Sequence, residues 1–344
     1  MADITIIMAT YNKSEYITEA LDSVFMQETS YSYRIIVADD CSTDNTVEIV
    51  RQYQKKYPNK IVLLTSEKNQ KLYRNLLRAY EITKTDYFCI LDPDDFWIDK
   101  HKIQKALDFL EKNSEFTIYV TNTYILTPDG KRERYIKIER SIDSDFSDYL
   151  NGKAVLGCGL GGTFRNVIFK NEIPEKMRNL ECSSQERSFE GDSFRNIIHL
   201  YEGKAHYVPD IDGVYRITDT GIWQSLSELE RDLLNTVMFK DFWLYFDQKY
   251  PELLILSYKL MANLADNSLD KLSEIEDIEK VIDIVKKLRN LKLFFENNPE
   301  VINSNSKNLT RSEKLKKYRK LFKVALVLLL ISIIINICGF MGHR

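Results

Sequence analysis

The sequence predicts an α/β protein: a doubly wound, mostly parallel sheet, then a helical C-terminal region and a single C-terminal membrane segment. Three observations predict it. Short apolar runs alternate with amphipathic helical periods over the first part of the chain, the pattern turns helical from Gln224 to Asn298, and an apolar stretch fills 324–341. Strands and helices that alternate with short connections give a parallel sheet, and such sheets bind ligands outside the carboxyl ends of their strands.

In chain order, Ile4–Ala9 reads as a buried first strand, and Ile17, Ala20, Leu21 and Val24 recur at helical spacing. Arg34–Ala38 is the second strand, followed by a helix with Val47 and Val50 inward and Thr43 or Asp44 as its cap. Ile61–Thr65 is the third strand, Leu72–Ile82 a helix and Tyr87–Leu91 the fourth strand. Ile103, Ala106, Leu107 and Leu110 mark the next helix, and Phe116–Leu126 a longer strand. Pro128-Asp129-Gly130 is a turn signal that predicts a return strand near Tyr135–Ile138. The glycine-rich stretch Asn151–Gly162 has no period and predicts a flexible loop, whereas Phe194, Ile197, Ile198 and Tyr201 lie on one helix face.

Composition narrows the function classes. Of 344 residues, 44% are hydrophobic and 29% charged, which is globular rather than disordered. A net charge of -3 argues against a nucleic-acid partner. The five cysteines show no C-x-x-C spacing, which argues against a zinc site and fits a reducing compartment. His101, His199 and His206 show no ligand spacing and read as structural. No basic-plus-apolar leader precedes the first strand, so the catalytic part is expected in the cytoplasm. The run at 324–341, interrupted only by Ser332, Asn336 and Gly339, is close to the minimum for crossing a bilayer; the basic stretch 311–323 before it would face the cytoplasm. A buried or oligomerising helix is the plainer alternative.

The chemistry-bearing motifs follow the strands. Leu91-Asp92-Pro93-Asp94-Asp95-Phe96-Trp97 packs three carboxylates into four residues. Such a cluster calls for a divalent cation or a set of donors, and Mg2+ or Mn2+ would share one or two carboxylates with substrate phosphates; helix-capping aspartates are the alternative. Ala38-Asp39-Asp40-Cys41-Ser42-Thr43-Asp44 offers carboxylates to a base N–H or a ribose hydroxyl, or else caps the next helix. Thr10-Tyr11-Asn12 supplies a turn and a ring for a nucleoside.

Together, the stretches ITIIMATYN, RIIVADDCSTDNT and FCILDPDDFW resemble glycosyltransferase family 2, over roughly residues 3–220, and DDFWIDKHKIQKALDFLEKN resembles its bacterial members that build surface polysaccharides. The resemblance implies the nucleotide-binding A-type glycosyltransferase fold. It implies that Asp39 binds the base, Thr10, Tyr11 and Asn12 line the nucleoside pocket, Asp92 contacts the ribose or metal shell, and Asp94 ligates Mn2+ or Mg2+, with Asp40 and Asp95 beside them. Arg74-Asn75 resembles the family's Arg-Asn, which implies that Arg74 helps hold the base, with Lys71 where a glycine is usual. Glu190-Gly191-Asp192 resembles the acidic motif whose aspartate takes the acceptor proton, with Glu190 as the fallback base. Tyr215-Arg216-Ile217-Thr218 puts a threonine where many relatives have a histidine, and leaves Arg216 and Trp223 to border the diphosphate or acceptor.

The organisation expected is a catalytic domain over 1–222, with its nucleotide-binding half at 1–115 and acceptor half at 116–222, a helical region at 223–310, the basic segment at 311–323 and the membrane helix at 324–342. The activity expected is metal-dependent, inverting transfer from a nucleotide sugar, UDP-sugars first, to a lipid-linked or other glycan acceptor at the inner or plasma membrane. The tail would contact membrane lipid, and a homo-oligomer is an option. A polyprenyl-phosphate sugar transferase and a non-catalytic scaffold are the alternatives; a nucleotidyltransferase would carry a glycine-rich loop where this chain has TYNKSEY.

Overall fold

The computed structural model describes residues 3–180, 183–219, 221–261 and 278–298. They belong to two compact units, Met1–Gly221 and Ile222–Arg344. The first unit opens with β1 (Ile4–Thr10), α1 (Ile17–Phe25), β2 (Tyr33–Asp39), α2 (Thr46–Lys56), β3 (Ile61–Leu64), α3 (Lys71–Ile82) and β4 (Tyr87–Ile90). It continues with β5 (Phe96–Trp97), α4 (Lys102–Lys112), β6 (Phe116–Leu126), β7 (Arg132–Arg134), β8 (Ile142–Ser144) and α5 (Phe146–Leu150). A 3-10 turn (Gly159–Gly161), β9 (Gly162–Arg165), α6 (Glu175–Arg178), α7 (Ser183–Phe189), α8 (Asp192–Glu202) and β10 (Lys204–Arg216) complete it.

One sheet runs β3-β2-β1-β4-β9-β6-β10-β5, with β7 on β6 and β8 on β10. β1 is parallel to β2 and β4, and β2 to β3; β9 runs antiparallel between β4 and β6. All seven residues of β1 are buried, as a strand covered on both faces requires. α1 adds Ile17, Ala20, Leu21 and Val24 to the core from one side, while Tyr73, Leu76, Leu77 and Tyr80 form the buried stripe of α3.

Several local expectations are revised. α2 starts after Asn45, not at Thr43 or Asp44, although Asp44 Oδ1 accepts the Thr46 amide at 3.0 Å. Hydrogen bonds from Thr46 and Ser14 outweigh the opposing effect of burial and hold Asp44 at a pKa of about 2. The return strand pairs Arg132–Arg134 with β6 rather than beginning at Tyr135, because the turn closed by Gly130 N–H on Thr127 O brings Arg132 opposite Leu126 at once. The glycine-rich stretch is a loop over 151–158, as expected, but its end joins the sheet: Gly162 pairs with Val120 and opens β9.

β10 escaped the sequence reading. Its register on β6 shifts on both sides of Ile211. The irregularity turns Asp212 inward to a buried ion pair with Lys102 at 2.7 Å, the kind of re-aiming that bulges perform. Gly213 is required beside it, since a Cβ there would meet Leu160 Cδ1 at 2.0 Å.

The second unit is helical in its described parts: Glu228–Tyr245, 251–261 and Ile278–Asn297. The expected C-terminal membrane segment is corrected here. Among the described residues no helix is long and apolar enough to cross a membrane. A span needs about 20 apolar residues, and the two long helices instead carry Glu228, Glu230, Arg231, Asp232, Lys240 and Asp241, and Lys280, Asp283, Lys286, Lys287 and Arg289. Such helices bury one stripe and hydrate the rest. The segments 311–323 and 324–342 lie outside the described residues. The expected placement at an inner or plasma membrane loses its structural basis with the span.

Candidate active site

The ends of β1 and β2 form the first wall. Thr10 and Asp39 are in register, and Asp40 N–H donates to Thr10 O at 2.9 Å. Asn12 ties the two following loops together: its Oδ1 accepts from Thr43 N–H at 2.8 Å and its own N–H donates to Ser42 Oγ at 2.8 Å. Asn12 and Cys41 both have left-handed backbone, φ 51° and 67°, which makes these turns tight. Asp39 Oδ2 accepts from Ser42 N–H at 3.0 Å, while its Oδ1 and Thr10 Oγ1 are buried without a partner. An unpaired buried polar atom costs about 1–3 kcal/mol, so these two are poised for donors brought by a ligand. The Tyr11 ring is exposed.

Asp40 does different work. Its oxygens accept from Gln70 N–H and Lys71 N–H, both at 2.8 Å, and hold the start of α3. Lys71 sits at φ 74°, the left-handed conformation that glycine adopts freely, so the lysine is strained into place under that clamp. Arg74 of α3 is paired with Glu186 of α7 at 2.7 Å.

The loop after β4 supplies three carboxylates in three settings. Asp92 is open to solvent but ringed by protein that strips its hydration, and the charges of Asp94 and Asp192 add to the effect; its pKa is raised. Asp94 is mostly covered and accepts from Lys13 Nζ at 2.5 Å. Asp95 is buried, its pKa driven well up by desolvation and then by Asp92, although Arg216 N–H donates to its Oδ1 at 2.8 Å. Arg216, the last residue of β10, also donates from Nε to Asp94 O at 3.0 Å and pairs with Glu19. The bulged register of β10 thus brings Arg216 onto the acidic loop.

Asp192 opens α8, and its charge acts on both Asp92 and Asp95. Arg195 Nη2 donates to its Oδ1, and the carboxylate lies over Gly159, where a Cβ would meet Oδ1 at 2.5 Å. Glu190 is instead paired with Arg187 and has its pKa raised by burial. Trp223 belongs to the second unit, where its ring is exposed. Thr218 is buried with its hydroxyl unpartnered.

Among the described residues no group of three or more His, Cys, Asp or Glu side chains is arranged to hold a metal ion. The acidic loop offers Asp94 and Asp92 to Mn2+ or Mg2+ of the kind that takes one or two carboxylates and completes its shell from phosphate and water.

Two charged residues and a glycine at this site escaped the sequence reading: Lys13, Arg195 and Gly159. Arg195 stands three residues after Asp192, and that helical spacing was the available signal. Lys13 and Gly159 meet their partners, Asp94 and Asp192, only through the fold. Two of the three histidines read as structural have packing contacts, whereas His101 is exposed beside Glu28. His199 packs edge-on and tilted among Phe88, Phe164 and Phe169, and burial pushes its pKa down to about 3. His206 lies against Phe109.

The model of Glycosyl transferase family 2 matches residues 5–171. The dTDP-rhamnosyl transferase RfbG of Shigella flexneri is 33% identical over 143 residues, 40% of this chain and 48% of its own. The putative teichuronic acid biosynthesis glycosyltransferase TuaG of Bacillus subtilis is 31% identical over 158 residues, 45% of this chain and 59% of its own. The chain spans 60% or less of the length of these curated relatives. Among solved structures, S. aureus TarS 1-349 in complex with UDP-GlcNAc has a similar fold, with a TM-score of 0.58 and 16% identity over 93% of this chain and 90% of that one.

Proposed function

Residues 5–171 match the model of glycosyl transferase family 2, and from that match we propose that the chain is an inverting, metal-dependent glycosyltransferase of the surface-polysaccharide type, like RfbG and TuaG, that moves a sugar from a nucleotide sugar to a hydroxyl of a growing glycan. The observation that carries this reading is the grouping of Asp92, Asp94 and Asp95 with the charge of Asp192, beside the unpaired oxygens of Thr10 and Asp39. Asp39 and Thr10 accept from the base or ribose, and the Tyr11 ring flanks the nucleoside. Asp94, with Asp92, would hold Mn2+ or Mg2+, and the cation would neutralise charge developing on the diphosphate.

Asp192 takes the proton of the acceptor hydroxyl. The acceptor oxygen bonds to the anomeric carbon from the face opposite the diphosphate. The C–O bond to the diphosphate breaks as its electron pair leaves with the phosphate oxygen, so the configuration inverts and no covalent sugar–enzyme intermediate forms. A lipid carrier for the acceptor was expected from the membrane segment and does not enter this reading. TarS, solved with UDP-GlcNAc, makes UDP-sugars the first donors to try, and RfbG adds dTDP-sugars.

The test is a donor screen. The full chain is incubated with a panel of UDP-, dTDP- and GDP-sugars plus Mn2+ or Mg2+, and release of free nucleotide is followed beside Asp94→Ala. Turnover of one donor, silenced in the variant and by a chelator, supports the proposal and names the sugar. Binding of bare nucleoside diphosphate without turnover, even with glycan acceptors added, would turn the reading toward a non-catalytic scaffold. No binding at all would remove the site assignment.

A further inference from the structure

We infer that Arg195 is a positioning residue for Asp192, holding one carboxylate oxygen so that the other is left free for the acceptor hydroxyl. The inference rests on the transferase reading above and concerns a residue that reading does not use.

The arrangement is asymmetric. Arg195 is 4% exposed, whereas the Asp192 side chain is 45% exposed. A guanidinium this buried needs a reason, since desolvating a cation is expensive. Its surroundings orient it: Nη1 faces Tyr80 Oη at 3.4 Å, its face lies over the Phe164 ring at 5.5 Å, and its backbone carbonyl accepts from His199 Nδ1 at 2.7 Å. Nε is buried with no partner. The group is thus fixed by α3, β9 and its own helix, and its Nη2 is spent on Asp192 Oδ1. No described residue donates to Oδ2.

The second support is electrostatic. Asp192 faces Asp92 and Asp95 on the loop after β4, Tyr80 on α3, Tyr135 beyond β7 and Cys158 before the 3-10 turn. All of these are neutral or negative when they titrate, so Arg195 is the cation in contact with Asp192. Without it, no cation in contact would hold the Asp192 carboxylate in place among these groups. Gly159 completes the clamp by leaving room for the carboxylate in this one position.

The test compares Arg195→Met and Arg195→Lys with the parent full chain, using UDP-GlcNAc and Mn2+ or whichever nucleotide sugar the panel turns over. UDP affinity and donor KM report the nucleotide half. Arg195→Met should lower kcat by about 10²-fold, the low end for losing a positioned base, with UDP affinity and donor KM close to the parent's. Arg195→Lys keeps the charge and should return part of the rate. Should Arg195→Met fail to fold, the lysine variant decides by itself: a lowered kcat with UDP affinity kept supports the role, and a parent-like kcat overturns it. A kcat loss matched by an equal loss of UDP affinity in both variants also overturns it, as the mark of a structural prop. Full transfer by Asp192→Asn would instead remove the base assignment itself, whereas a silent Asp192→Asn beside an unaffected Arg195→Met removes only the role given to Arg195.

Discussion

At the ends of β1 and β2, two buried oxygens, Thr10 Oγ1 and Asp39 Oδ1, have no partner. At the start of α8, the carboxylate of Asp192 already has one, the guanidinium of Arg195. Under the proposed function, the first wall would gain its missing donors from a ligand, whereas the second is assembled beforehand and leaves one oxygen spare. The difference suits what each would meet. A nucleoside brings N–H and O–H groups in a fixed pattern, so unpaired acceptors select it. A base needs a defined orientation before its hydroxyl arrives.

The comparison breaks most readily at Asp192. Asp192→Asn should cost about 10²–10⁴-fold in kcat while UDP affinity, read by calorimetry, stays near the parent value; an equal loss of both would show that the two walls are not separable. Gly159→Ala should cost about 10²-fold in kcat, as a shift of about 1 Å in a reacting group can, because the new methyl would displace Asp192 without touching the Asp39 loop. A parent-like rate would mean that the carboxylate has other productive positions.

On the nucleotide side the expected effect is smaller and falls on binding. Asp39→Ala should weaken UDP by about 1–3 kcal/mol, the usual worth of a buried hydrogen-bonding acceptor, with a lesser effect on kcat at saturating donor. A change in kcat alone would move Asp39 out of the base pocket.

The smallest effect concerns stability and sharpens the contrast, because it concerns the packed wall. His199 is held at a pKa of about 3, below its ordinary 6.5. The unfolded chain therefore binds the proton first, and folding stability falls as pH drops from about 6.5 toward 3. The thermal midpoint should decline across that window, and His199→Leu should flatten part of the decline. A parent-like slope in the variant would place the acid sensitivity elsewhere, with Asp44 the next residue to test, since its contribution is lost only as pH falls from about 4 toward 2.

Legibility followed the range of the interactions. The strands β1, β2 and β4 were readable because burial on both faces of a parallel sheet writes itself as an apolar run; β3 was readable as a short apolar run, and β6 from its Thr, Tyr, Ile and Val. The acidic loop and the turn residues after β1 and β2 were readable because each is contiguous in sequence. β9 and β10 were not: β9 is short, and in β10 Gly213 and Asp212 are explained only by contacts made far along the chain, with Leu160 and Lys102. The C-terminal apolar run shows the opposite failure, where hydropathy pointed to a span that no described helix supplies.

By itself, then, the sequence determined the α/β sheet, the family resemblance and the carboxylates that follow the strands, because local periodicity and short motifs encode them. Which charges meet was decided by tertiary structure alone. Lys13 reaches Asp94 across 81 residues and Arg216 reaches the same loop across 122, while Arg195 turns inward to Asp192 because α3, β9 and α8 close around it. Electrostatic partnership depends on separation in space and on lost water, and neither is written in the order of residues.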